Sequence, residues 1–164
     1  MTPIIFGLIL IQLLAVAWID LKTHKISNRW AMLNVLLSVV LHLFFRSHYP
    51  LDWEVLLFPV GFIVIGFFLF LVNIMGAGDS KYLASLFLIV PVELHLGFFE
   101  RLILSTMLVG AFLLSAKVIK NFAQLRAYFI GHYWSGIKGI IKSRFSYAPV
   151  ILIAWIILGV NQWR

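Results

Sequence analysis

The chain has 164 residues, of which 63% are hydrophobic and only 12% charged, against about 25% charged in ordinary soluble domains. A chain this short cannot hide so much apolar surface from water, so its solvent is lipid, which excludes a soluble enzyme, a disordered tail and a free nucleic-acid module. The absence of cysteine excludes disulfides, thiolate zinc sites and a cysteine nucleophile, and the placement of the charges behind the formal net +7 matters more than their sum.

A spanning helix needs about 20 mostly apolar residues. The first candidate runs from Pro3 to Ile19, with Pro3 at a tolerated first-turn position. Ala15-Val16-Ala17 resembles a signal-peptide cleavage site, but no basic stretch precedes the apolar run, so it reads as a retained helix. A second candidate runs from Trp30 to Phe45 and a third from Trp53 to Met75. After the break Gly76-Ala77-Gly78-Asp79, a short fourth runs from Ser80 to Val92. The fifth covers Phe99 to Val118 and the last Ala148 to Val160. These segments predict an all-α, polytopic membrane protein of about six transmembrane helices, a single integral-membrane domain over 1–164.

Lys and Arg mark cytoplasmic loops. Lys22, Lys25 and Arg29 follow the first span, Lys81 follows the glycine break, and Lys117, Lys120, Arg126, Lys138, Lys142 and Arg144 separate the fifth and sixth. Ten of the 13 basic residues therefore fall on one side, leaving Arg46, Arg101 and Arg164 on the other. Asp52, Glu54, Glu93 and Glu100 fall in the opposite, outer loops. Both termini are then extracytoplasmic. The 117–147 segment mixes its basic residues with Phe122, Tyr128, Phe129, Tyr133, Trp134 and Phe145, which suits a helix lying at the cytoplasmic interface. Topology already explains these charges, so no nucleic-acid partner is expected.

Only Asp20 and Asp79 remain on the cytoplasmic side, each at the end of a membrane helix. Such carboxylates tend to be functional; the plain alternative is an interfacial charge paired with Lys22 or Lys81. Two glycines stand immediately before Asp79. Glycine permits close backbone approach, and non-helical backbone at membrane depth is tolerated only inside protein or beside a wet cavity. The break therefore predicts a polar site at Asp79.

Around the first aspartate the chain reads Ile19-Asp20-Leu21-Lys22-x-x-Lys25-Ile26-Ser27-Asn28. Together with Gly76-x-Gly78-Asp79-x-Lys81 and Tyr147-Ala148-Pro149, this resembles the type IV prepilin peptidases, intramembrane aspartic proteases of the Gly-x-Gly-Asp kind. The closest likeness is to the small, peptidase-only members that serve tight-adherence (Flp-type) pili. Ser27 replaces the family's proline and Ser80 its apolar residue, and neither change touches an aspartate. Larger members carry a cysteine-rich methyltransferase region, which the resemblance does not extend to here.

The resemblance implies an aspartic endopeptidase of the inner membrane, with Asp20 and Asp79 as its catalytic pair near the cytoplasmic face. Two facing carboxylates share one proton. The ionised member activates a water, and the protonated member hydrogen-bonds the scissile carbonyl. No metal or other cofactor is implied. The substrate would be a prepilin with a short basic leader, and pilus-assembly components are candidate partners beside the bilayer itself. Gly76 and Gly78 support the site. Lys22, Lys25 and Lys81 tune the pair, meet phospholipid headgroups or simply signal topology. Asn28 is expected to cap the second helix, and Tyr147 and Pro149 to set the start of the last.

Two other readings use the same aspartates: a small carrier with a proton or cation site, and a scaffold with two ion pairs. A carrier favours midplane charges and inverted repeats, and a scaffold does not require a glycine-broken span. His24, His42, His48, His95 and His132 form no zinc motif, and no serine-hydrolase elbow, phosphate loop or dinucleotide fingerprint is present.

Overall fold

The computed structural model describes residues 3–46, 49–50, 52–72, 75–122, 124, 126 and 146–162. Among them the chain forms six helices and no strand: α1 Pro3–Thr23, α2 Asn28–Phe44, α3 Glu54–Leu71, α4 Ala77–Ile89, α5 Val92–Lys120 and α6 Ala148–Gln162. Helices α1, α3 and α5 are long and apolar enough to cross a membrane, and α2 and α6 are shorter apolar helices. The protein is a helical membrane protein, as its composition demands.

Three boundaries differ from the sequence reading. Helix α1 continues to Thr23, which puts Asp20 inside its last turn rather than after it. Helix α2 is capped by Ser27, whose hydroxyl accepts the Arg29 N–H at 3.4 Å, and Asn28 is its first helical residue rather than its cap. Helix α5 starts at Val92 behind Pro91, so Glu93, Glu100 and Arg101 lie on the helix and not in a loop. Its 29 residues rise about 43 Å, more than the roughly 30 Å of hydrocarbon. That length lets acidic first turns and the basic last turn at Lys117 and Lys120 both reach polar surroundings. The interfacial helix expected within 117–147 falls mainly outside the described residues.

Helix α4 lies at the centre. Tyr82 through Phe87 are all buried, so over this stretch the helix turns every face to protein. Helices α2 and α3 pack on α4, while α1 and α5 pack on α6. Glycine makes both kinds of contact close: Gly66 of α3 abuts Ser80 of α4, and Gly159 of α6 receives the Phe6 ring of α1. Lipid offers no hydrophobic drive between helices, so such small-residue contacts carry the packing. Phe6 also stacks on Trp155, with centroids 5.0 Å apart.

Aromatic and amide contacts join the two sets of helices. Phe58 and Phe62 of α3, Phe87 of α4, and Phe98 and Phe99 of α5 form one cluster of rings. Gln12 of α1 donates to the Asn34 side-chain oxygen of α2, and Asn34 donates to Ser85 of α4 at 3.1 Å. At the end of α4, His95 Nε2 lies 2.9 Å from both the Phe87 and Val90 carbonyl oxygens. Both partners are acceptors, so Nε2 carries the proton and satisfies carbonyls that a helix end leaves open.

Candidate active site

Asp20 is only 2% exposed, although α1 could have turned it toward water. Its Oδ2 accepts the Ala148 N–H at 3.0 Å. Ala148 opens α6, where backbone N–H groups have no partner within the helix and the dipole favours an anion. Pro149 follows in the first turn, where its missing N–H costs nothing. Tyr147-Ala148-Pro149 thus starts α6 against the first aspartate.

The backbone of the α1 end is tied to the same place. The Ser146 hydroxyl donates to the Asp20 carbonyl at 3.3 Å, and the His24 N–H donates to that carbonyl at 2.7 Å. His24 takes the left-handed conformation that ends helices, with φ of 50°. Its Nδ1 is 2.8 Å from the Ser146 oxygen. Since Ser146 gives its one proton to Asp20, His24 Nδ1 is the donor in that contact.

Asp79 is held differently. It sits in the first turn of α4, partly buried, and its Oδ2 accepts the Gly76 N–H at 3.3 Å. The Asp79 N–H in turn reaches the Gly76 carbonyl at 3.1 Å. Gly78 is pressed against the α1–α2 connection: a Cβ there would stand 2.7 Å from the Ile26 carbonyl oxygen. A Cβ on Gly76 would stand 3.0 Å from Asp79 Oδ2. The two glycines therefore do different things. Gly78 lets the break touch the loop that follows Asp20, and Gly76 leaves room for the Asp79 carboxylate.

That contact sets the first turn of α4 against the connection that follows Asp20. Tyr147 Oη lies 3.0 Å from Thr106 Oγ1, whose own proton goes to the Leu102 carbonyl, so Tyr147 is the donor between them. The end of α1, the first turn of α4 and the start of α6 thus meet, and Asp20, Asp79, Gly76, Gly78, Tyr147 and Pro149 lie at these three places.

The lysines stand apart from it. Lys22, Lys25 and Lys81 are exposed, and the Lys22 ammonium lies 4.6 Å over the Trp18 ring. Among the described residues Arg101 pairs with Glu100 at 4.0 Å, and neither aspartate is joined there to Lys22, Lys25 or Lys81 by an ion pair. Asn28 is exposed at the first turn of α2. Among the described residues no three His, Asp or Glu side chains gather into a group that could hold a metal ion.

Sequence reasoning missed His24, Ser146, Thr106 and Gly66. Ser146 and Thr106 carry no local signature, because their partners are 126 and 41 residues away. Gly66 had a faint one, a lone small residue inside a bulky apolar span.

Fold and site define a polytopic helical membrane protein with two carboxylates, Asp20 and Asp79, near helix ends that meet. The chain belongs to the type IV leader peptidase family, which it matches over residues 7–161. It is accordingly a peptidase, and the family implies a prepilin substrate. No curated protein and no solved structure matches it.

Proposed function

We propose that the protein is an aspartic endopeptidase that removes the basic leader of Flp-like type IV prepilins, with Asp20 and Asp79 as the catalytic pair. The observation that supports this reading is the contact of Gly78 with the Ile26 carbonyl, which sets the turn bearing Asp79 against the connection that follows buried Asp20, with no ion pair from a lysine to either aspartate among the described residues. Two facing carboxylates share a proton rather than both ionising. The ionised member takes a proton from water, the resulting hydroxide attacks the scissile carbonyl, and the protonated member donates to the carbonyl oxygen. Collapse of the tetrahedral adduct returns a proton to the leaving amine. The roles belong to the pair rather than to one residue before substrate binds.

The basic residues that follow α1, lie on early α4 and end α5 support a site at the cytoplasmic face of the inner membrane, with both termini outside. A prepilin presents its leader in the cytoplasm and its apolar helix in the bilayer, so the bond to be cut lies at the depth of the pair. Lys22, Lys25 and Lys81 serve topology and headgroup contact. A cationic leader gains nothing from three cations, so they are not its binding site.

The test is cleavage of a model Flp-type prepilin by wild type, Asp20→Asn and Asp79→Asn at equal membrane levels. Both variants are expected to lose cleavage by about 10²-fold to 10⁴-fold, since each removes a group acting in the transition state. Retained cleavage in either variant removes that residue from the pair.

A further inference from the structure

A second feature lies at the other end of the bundle. Helices α2 and α3 pack on α4 from two sides. Between them is a cavity of about 800 Å³, floored by Leu88 and walled by Val35, Val39 and Leu56. Leu88 is nine residues beyond Asp79 along α4, about 13 Å at 1.5 Å per residue, so this is not part of the aspartate site. Along α2 the cavity runs from Val35 to Arg46, about 16 Å, which is one leaflet of a roughly 30 Å hydrocarbon core.

Its polar groups divide into two kinds. Ser38 and His42 are buried and bonded inside the protein: the Ser38 hydroxyl donates to the Leu88 carbonyl at 3.1 Å, and His42 Nδ1 donates to the Ser38 carbonyl at 2.8 Å. They close the wall and ask nothing of a ligand. Arg46 and Asp52 line the cavity at its polar end and are exposed. They share a cavity, yet no ion pair within 4.0 Å joins them among the described residues. Trp53 stands beside Asp52, 73% exposed, as an indole does at a headgroup boundary.

We infer that this cavity holds one zwitterionic aminophospholipid of the leaflet opposite the aspartates. An acyl chain fills the apolar groove, the Arg46 guanidinium takes the phosphate, and the Asp52 carboxylate takes the primary ammonium. Guanidinium forks match phosphate oxygens. Asp52 supplies the selectivity. It repels an anionic headgroup that has no amine, and it finds no N–H on a quaternary ammonium. A general lipid annulus needs neither charge, and a purely anionic lipid would be opposed by Asp52.

The experiment is native mass spectrometry of the full-length protein in mild detergent with equimolar phosphatidylethanolamine, phosphatidylglycerol and phosphatidylcholine. The expected result is a predominant one-lipid phosphatidylethanolamine adduct. Arg46→Ala and Asp52→Ala should each reduce that adduct roughly tenfold, and Asp52→Ala should also raise the phosphatidylglycerol share. Both residues are exposed, so neither change threatens folding. A photo-crosslinking residue at position 39, used in intact membranes, reads the occupant directly. A lipid adduct is expected. Equal retention of the three lipids, adducts unmoved by either variant, or a crosslink to a second copy or to a pilin helix would each overturn the assignment.

Discussion

The two aspartates are held by opposite means. Asp20 is fixed by tertiary structure: its carboxylate meets Ala148, 128 residues away, and its backbone carbonyl meets Ser146. Asp79 is fixed by its own helix turn, through Gly76 three residues before it. Asp20 is buried and Asp79 only partly so. On the proposed mechanism the pair must admit water and a peptide, which asks for one anchored wall and one member near the opening. It follows that the supports of Asp79 should be sensitive to local backbone changes. Those of Asp20 should be sensitive to distant side chains.

Gly78→Ala tests the local side most severely. The obstacle it meets is the backbone carbonyl of Ile26, which cannot rotate away, so the first turn of α4 must move off the α1–α2 loop. On the proposed mechanism a displacement near 1 Å at Asp79 costs about 10²-fold, and prepilin cleavage should fall by at least that at unchanged membrane levels. Cleavage within a few-fold of wild type would show that the Ile26 contact does not set the Asp79 position. Gly66→Ala strikes the same helix from α3, where the new methyl collides with the Ser80 side chain. The expected loss of cleavage is tens of fold. Adding Ser80→Gly removes the colliding atoms and should restore most of it, a coupling that a double-mutant cycle measures directly. Additive losses would place the damage elsewhere in α3.

Gly76→Ala should be milder than Gly78→Ala although both glycines belong to the motif. Gly76 has φ of −73°, which any residue adopts, so no backbone strain arises. Its Cβ would meet only the end of the Asp79 side chain. We expect cleavage to fall about fivefold to tenfold, the scale of one weakened hydrogen bond near 1 kcal/mol. A loss as large as that of Gly78→Ala would mean that the position of the Asp79 carboxylate, and not the seat of the helix, limits the site.

The same division explains what could be read from the sequence. Apolar length located all six helices, and the clustering of Lys and Arg isolated Asp20 and Asp79, because both are signals carried along the chain. Gly76 and Gly78 were legible for the same reason. The α2 cap was misplaced by one residue because Ser27 and Asn28 are both good caps and neighbours; the side-chain bond to Arg29 decides for Ser27. Glu93 and Glu100 read as loop because charge usually ends a span, whereas both lie on α5, which is long enough to carry Glu93 outside the hydrocarbon on a helix. His24 and Ser146 were invisible for a deeper reason. A hydrogen bond spanning 122 residues leaves no period and no spacing.

Ser146→Ala probes that invisible part and should have the smallest effect. It removes the donor to the Asp20 carbonyl and the acceptor facing His24. The Ala148 N–H remains on the carboxylate, so the end of α1 loosens without releasing Asp20. Loss of one such bond costs about 1 kcal/mol, or about fivefold in rate. If Ser146 positions the aspartate, the loss appears in kcat with KM unchanged, because the substrate still binds. His24→Ala should cost a similar factor, and the double variant little more than either, since both groups act through one contact. A change confined to thermal stability, with kcat untouched, would make the cluster a structural tie alone. The anchoring of Asp20 would then rest on the first turn of α6.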